Sequence, residues 1–148
     1  MKLVEIEKSL VFEQDKFFSQ CHASTLLKVG DKILCAFFAG TKEGDDDVRI
    51  YLCVNENGKW SDPQQMTFTD DVPCWNPVLF EKDGTIFLFF KAGKKITKWQ
   101  PFLRKSTDGG ITWSDAEELV PGDKTGGRGP VKNKAIELSD GTVVAPAS

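Results

Sequence analysis

The sequence has a single histidine, a single tyrosine, no C-x-x-C pair among its four cysteines, and no apolar run that approaches membrane-spanning length. With His22 as the only imidazole and Cys21, Cys35, Cys53 and Cys74 scattered along the chain, a zinc centre of ordinary spacing is not expected, nor is any other metal or cofactor. Cys35 and Cys53 fall within apolar strand patterns, where a thiol behaves as a small hydrophobe, so four reduced cysteines are expected. The missing apolar run excludes a helical membrane span. Lys2, Glu5, Glu7 and Lys8 interrupt the N-terminal stretch that a signal peptide would need, so the chain reads as soluble and cytoplasmic, with secretion left open if the true start lies upstream. A basic stripe is missing as well. The net charge of −3 and pI near 5.2 argue against a nucleic-acid partner, and the four lysines between Lys91 and Lys98 read as a solvated loop. No segment holds a helical period, and 13 glycines and 7 prolines punctuate the chain too often for a long helix.

Internal repetition is what the sequence has in place of helices. The segment from Gly30 to Gly40 aligns with Asp83 to Gly93, and again with Asp140 to Pro146; each opens on a Gly/Asp turn and runs into strand-forming residues. The offset from Gly40 to Gly93 is 53 residues, and Trp60 precedes Trp113 by the same 53. Short strands are predicted at about 23–28, 32–38, 48–54 and 64–68, then at about 77–81, 85–91, 100–106 and 116–120. Four antiparallel strands per repeat describe a propeller blade, so the expected class is all-β, a β-propeller. One domain is expected over 1–148, with blade 1 at about 20–70, blade 2 at about 74–122 and the start of blade 3 at about 130–148. This makes two and a half to three blades where a closed propeller needs about four or more, so a truncated propeller is expected.

The strongest single signal is Ser106-Thr-Asp-Gly-Gly-Ile-Thr-Trp113. Asp108 can bond the backbone of its own turn, Gly109 and Gly110 can take positive φ, and Trp113 can anchor the hairpin to a sheet. Ser106, Asp108, Gly110, Thr112 and Trp113 are therefore structural candidates, and Asn55 to Ser61 reads as a decayed copy. The octet resembles the Asp-box of sialidases. Cys21 to Leu26, Gly40 to Gly44, Asp47-Val48, Pro73 to Phe80 and Val131 to Lys134 are similar to stretches of bacterial and plant predicted neuraminidases with BNR repeats. The resemblance covers residues 20–148. It implies a six-bladed propeller when complete, and an exo-glycosidase acting on a terminal, acidic sugar at the propeller axis.

Carried over by that resemblance, His22 occupies the place of the first-blade Arg that grips the sugar carboxylate in sialidases. A neutral imidazole cannot reproduce that charged fork. Lys42 falls nearest a second Arg, and Asp47 nearest the acid/base, with Asp46 as its rival within Asp45-Asp46-Asp47. As general acid, Asp47 would need a raised pKa, for which the neighbouring carboxylates offer a cause. The nucleophilic Tyr of the family has no counterpart here, because Tyr51 lies inside a first-blade strand, so the chain by itself is not expected to turn over substrate. Trp75 and Asn76 begin the second repeat where His22 begins the first, which makes them candidates for stacking a sugar ring and orienting a hydroxyl. Lys132 and Asn133 begin the third repeat. Lys91 and Arg104 are weaker candidates. The expected partner is a carbohydrate; a non-catalytic binding propeller and a uronate-acting lyase or hydrolase are the alternatives.

Overall fold

The computed structural model describes residues 8–67, 72–123 and 125–147; residues 1–7 and residue 68, the end of one predicted strand, lie outside them. The first sheet is built from β1 (Gln20–Val29), β2 (Lys32–Gly40), β3 (Arg49–Glu56) and β4 (Lys59–Trp60) in that spatial order, and β5 (Gln64–Gln65) also pairs with β3. The second runs β6 (Cys74–Lys82), β7 (Thr85–Ala92), β8 (Gln100–Ser106) and β9 (Glu117–Glu118), and a single 3-10 turn at Ile96–Lys98 precedes β8. A final hairpin joins β10 (Ile136–Glu137) to β11 (Val143–Val144). Every pairing is antiparallel.

The repeat is visible in the register. Val29 pairs with Lys32 and Lys82 with Thr85, so equivalent hairpins close at the same 53-residue offset. Both innermost strands carry a bulge at the same place, between His22 and Thr25 and between Trp75 and Val78. There Ala23 and Asn76 take φ of 54° and 48°, a left-handed conformation that Asn tolerates and that costs Ala about 1 kcal/mol or more. Lys132, at φ 67°, stands at the corresponding point ahead of the third hairpin. The predicted fourth strand of the first repeat is two short pieces, because Asn57-Gly58, both at positive φ, turn β3 straight back into β4 before β5 resumes the edge.

Packing explains the uninterrupted apolar runs. Leu34, Ala36 and Phe38 of β2 face the second sheet and meet Leu79, Ile86, Leu88 and Phe90 there. Their neighbours Cys35, Phe37 and Ala39 face the other way, yet they are buried too, because Val11, Phe12 and Phe18 lie across that side. A strand covered on both faces has no reason to alternate. β1 and β6 lie side by side, and the Thr25 hydroxyl accepts the Leu79 N–H at 3.5 Å. Sheets of five and four strands stacked face to face about their innermost strands make this an all-β fold of the β-propeller kind, of which the chain supplies two sheets and part of a third. No disulfide joins the four cysteines, and burial pushes Cys35 up to about 11 and Cys53 up to about 12.

The Asp-box hairpin forms as its residues dictate. The Asp108 carboxylate accepts N–H bonds from Ile111 at 3.0 Å and Thr112 at 2.9 Å, together with the Ser106 and Thr112 hydroxyls. The Trp113 indole donates to Gly110 O at 3.1 Å. Gly110 is required twice over: its φ is 88°, and a Cβ there would lie 2.8 Å from Leu34 Cδ2 of the first sheet. Trp60 and Trp113 are partly buried and pack against the core, Trp60 on the Cys35–Phe37 side and Trp113 on the inter-sheet side. Arg104 is part of this frame and not of a binding site. Its guanidinium donates to Ser114 O at 2.6 Å, Trp113 O at 3.3 Å and, across the sheet boundary, Met66 O at 2.7 Å.

Replacing Arg104 by Met strands three carbonyls. It is expected to destabilise the fold by roughly 2–4 kcal/mol, read as a lower urea midpoint at unchanged slope. The hydrogen bonds to Asp108, those from Thr112 foremost, hold its carboxyl down to about 2. A carboxyl depressed on folding stabilises fully above its unfolded pKa of about 3.9 and loses that contribution as pH falls through the folded value. The Tm gap between wild type and Asp108→Asn should therefore be constant from neutral pH to about 4 and close between about 4 and 2. A gap that does not change with pH would contradict this.

Candidate functional site

The first residues of β1 and β6 and the last residues of β2 and β7 all lie at one end of the two sheets, together with the loops 41–48 and 93–99. Between these loops is a cleft of about 270 Å³, lined by Phe38, Glu43, Gly44, Trp75, Asn76, Lys94, Ile96 and Trp99. Its aromatic wall is rigid. Trp75 and Trp99 stack at 5.9 Å with an 18° interplanar angle, Phe38 meets Trp75 edge-on at 5.3 Å, and both indoles donate to the same carbonyl, Gly93 O, at 2.8 and 3.0 Å. Gly93 itself has φ 147°, and a Cβ would stand 3.1 Å from Trp99 Cδ1, so only glycine lets the chain turn beneath the ring.

The acidic loop sorts its carboxylates by what each one touches. Asp47 turns inward on its own loop, where its Oδ2 accepts the Thr41 N–H at 2.9 Å and the Thr41 hydroxyl at 2.6 Å. Those bonds, the hydroxyl's above all, lower its pKa. The raised value expected of a general acid is thus reversed, because the Thr41 donors outweigh the effect of burial. Asp46 pairs with Lys94 at 2.6 Å, an exposed bridge between the two loops. Glu43 is the carboxylate left facing the cleft. Its backbone N–H is held by Gln20 Oε1 at 2.7 Å, and its Oε2 lies 3.8 Å from His22 Nε2.

Of the residues singled out from sequence, Trp75 and Asn76 line this cleft. His22 stands beside it, its ring 5.6 Å from that of Phe38, but half-exposed and opening also onto a groove with Cys21 and Phe12. Asp47 opens onto a different hollow with Phe17, Phe18 and Tyr51. Lys42 is exposed and is not among the cleft's lining residues. Lys132 and Asn133 are exposed too; the side chain that reaches back to the inner strand is their neighbour Lys134, which donates to Leu26 O. Tyr51 is held in an aromatic cluster, 4.3 Å from Phe18, and burial raises its pKa.

Sequence reasoning missed Glu43, Lys94 and Trp99. A large ring within an otherwise lysine-rich loop was the available signal for Trp99. Glu43 carried none, since only the loop's folding distinguishes it from its acidic neighbours. Among the described residues no cluster of His, Cys, Asp and Glu has the arrangement of a metal centre, and no helix is long and apolar enough to cross a membrane.

Solved structures share this fold at low identity. A protein of Dyadobacter fermentans described as of unknown function superposes with a TM-score of 0.66 at 17% identity, over 90% of this chain and 48% of its own. An α-L-arabinanase of Penicillium chrysogenum, solved with arabinobiose, gives 0.59 at 16% identity over 84% of this chain and 39% of its own. An α-L-arabinofuranosidase of Lactobacillus brevis gives 0.58 at 14% over 83% and 43%. The chain thus spans less than half the length of each. No curated protein matches it. Residues 31–148, most of the chain, match the family model described as BNR repeat-like domain, and the chain belongs to that family.

Proposed function

We propose that the protein is a carbohydrate-active propeller of the glycosidase kind, and that a terminal sugar docks in the cleft between loops 41–48 and 93–99. The observation that carries this reading is the meeting of the stacked Trp75–Trp99 wall with one carboxylate, Glu43, and one amide, Asn76. An indole wall receives the apolar face of a sugar ring, an amide orients a hydroxyl, and a carboxylate at hydrogen-bond reach of a glycosidic oxygen is the group that general acid catalysis requires. The propeller fold shared with an arabinanase and an arabinofuranosidase is consistent with this.

The cleft's charge bears on the kind of sugar. Lys94 is engaged by Asp46, and the Glu43 carboxylate, 3.8 Å from His22 Nε2, lines the cleft, so an acidic sugar would meet a carboxylate here. A neutral ring fits this position better than a sialoside does. In this reading Glu43 protonates the leaving oxygen, His22 lies against it, and Asp47 keeps the loop in shape.

Chromogenic glycosides, arabinofuranoside, rhamnoside, glucuronide and sialoside together, presented to the full-length protein, test the proposal. Glu43→Gln is expected to lower turnover by about 100-fold or more while sugar binding persists, and Asp47→Asn to leave turnover within a few-fold. Trp99→Ala should weaken sugar binding about tenfold, read by quenching of the remaining tryptophans. Binding without turnover of any glycoside would identify a non-catalytic glycan-binding propeller, and absence of both would overturn the proposal.

A further inference from the structure

The ion pair between Asp46 and Lys94, 2.6 Å long, crosses from one loop of the cleft to the other, and its two ends stand differently towards the cleft. Lys94 is a lining residue and Asp46 is not. The cleft wall therefore carries an ammonium that a neutral sugar does not need, engaged by a carboxylate from outside the lining.

The main chain is held on either side of the pair. The Arg49 guanidinium donates to Asp46 O at 2.6 Å and to Val48 O at 2.9 Å, and the Asp45 N–H donates to Lys42 O at 3.1 Å. Gly44, at φ 103°, turns the chain between Glu43, which lines the cleft, and Asp46, which does not. On the facing loop the Gly93 N–H donates to Pro73 O at 3.0 Å and the Lys98 N–H to Lys95 O at 2.8 Å, so Lys94 lies between two fixed points. The direction of its long side chain is then set by its partner. The two side chains are 59% and 61% exposed, and a pair so well solvated contributes little to stability. Losing it changes the charge the cleft offers and leaves the fold intact.

Glu43 and Lys94 are the charged residues of the lining, and Asp46 makes the local set two carboxylates to one ammonium. Lys42, Lys95 and Lys98, the other lysines of the two loops, are exposed and lie outside the lining. A sugar carboxylate entering the cleft would have to displace Asp46 from Lys94 and would be repelled by Glu43, whereas an uncharged ring meets neither obstacle. We propose that Asp46 is a specificity-determining residue, which withholds the Lys94 ammonium from acidic sugars and so makes the cleft select neutral glycans over uronates. This rests on the carbohydrate reading above and adds the group that sets its charge preference.

The probes are two sugar pairs that differ only in exchanging a hydroxymethyl group for a carboxylate, glucose with glucuronate and galactose with galacturonate, titrated into the full-length protein and followed by tryptophan quenching. The wild type is expected to prefer the neutral member. Asp46→Asn should move the ratio of affinities towards the uronate by about tenfold, and Lys94→Met in the same background should restore the wild-type preference. Circular dichroism verifies the fold of each variant, and Asp46→Ser replaces Asp46→Asn should the latter not fold. A neutral sugar bound with an unchanged ratio in the folded Asp46 variant, a shift that survives Lys94→Met, or a wild type that prefers the uronate overturns this inference while the carbohydrate reading stands. Quenching by none of the four sugars overturns both.

Discussion

Face-to-face packing of the first two sheets is the constraint on which the rest depends. Leu34, Ala36 and Phe38 fix the distance and angle at which β6 and β7 approach, and Gly110 and the Arg104 bond to Met66 O hold the outer edge of the same interface. At its inner end the interface becomes the cleft. Phe38 is at once a core residue and a lining residue, so the aromatic wall of the site is continuous with the packing that makes the fold. In the proposed reading stability and recognition share side chains there, which is why Trp99, rather than the more deeply buried Trp75, is the residue that separates the two effects.

The architecture was legible because repetition acts at long range. A 53-residue offset in turns, tryptophans and apolar runs specifies equivalent sheets without any need to know which face of a strand is buried. Ser106 to Trp113 was equally legible, because each of its bonds is local: the Asp108 carboxylate reaches only backbone and hydroxyls within four residues of itself. The strand expected at 64–68 is short, Gln64–Gln65, where Asn57-Gly58 makes a two-residue hairpin that pairs β4 with the same edge, and β1 and β6 each begin three residues before their expected starts.

The site was only half legible, for a physical reason. Trp75 and Asn76 begin a strand, and strand register carries over from one repeat to the next. The carboxylates of loop 41–48 obey no such period. Three consecutive aspartates look interchangeable in sequence, but Thr41 takes Asp47, Lys94 takes Asp46, and Gln20, from the strand that opens the sheet, turns Glu43 towards the cleft. Those partners lie 6, 48 and 23 residues away, and two of the three belong to other elements of the fold. Only the folded loop can assign the roles.

Phe38 and Lys91 show how a repeat diverges without losing its shape. An aromatic ring in one inter-sheet position completes a wall for stacking; a lysine in the equivalent position makes the next floor polar, and Asp123 follows as its counter-charge. Exchange of a core ring for an isolated ammonium would cost several kcal/mol with nothing to meet it. Its presence in a fully buried position shows that the chemistry of equivalent strand positions can change from repeat to repeat while the stacked sheets stay as they are.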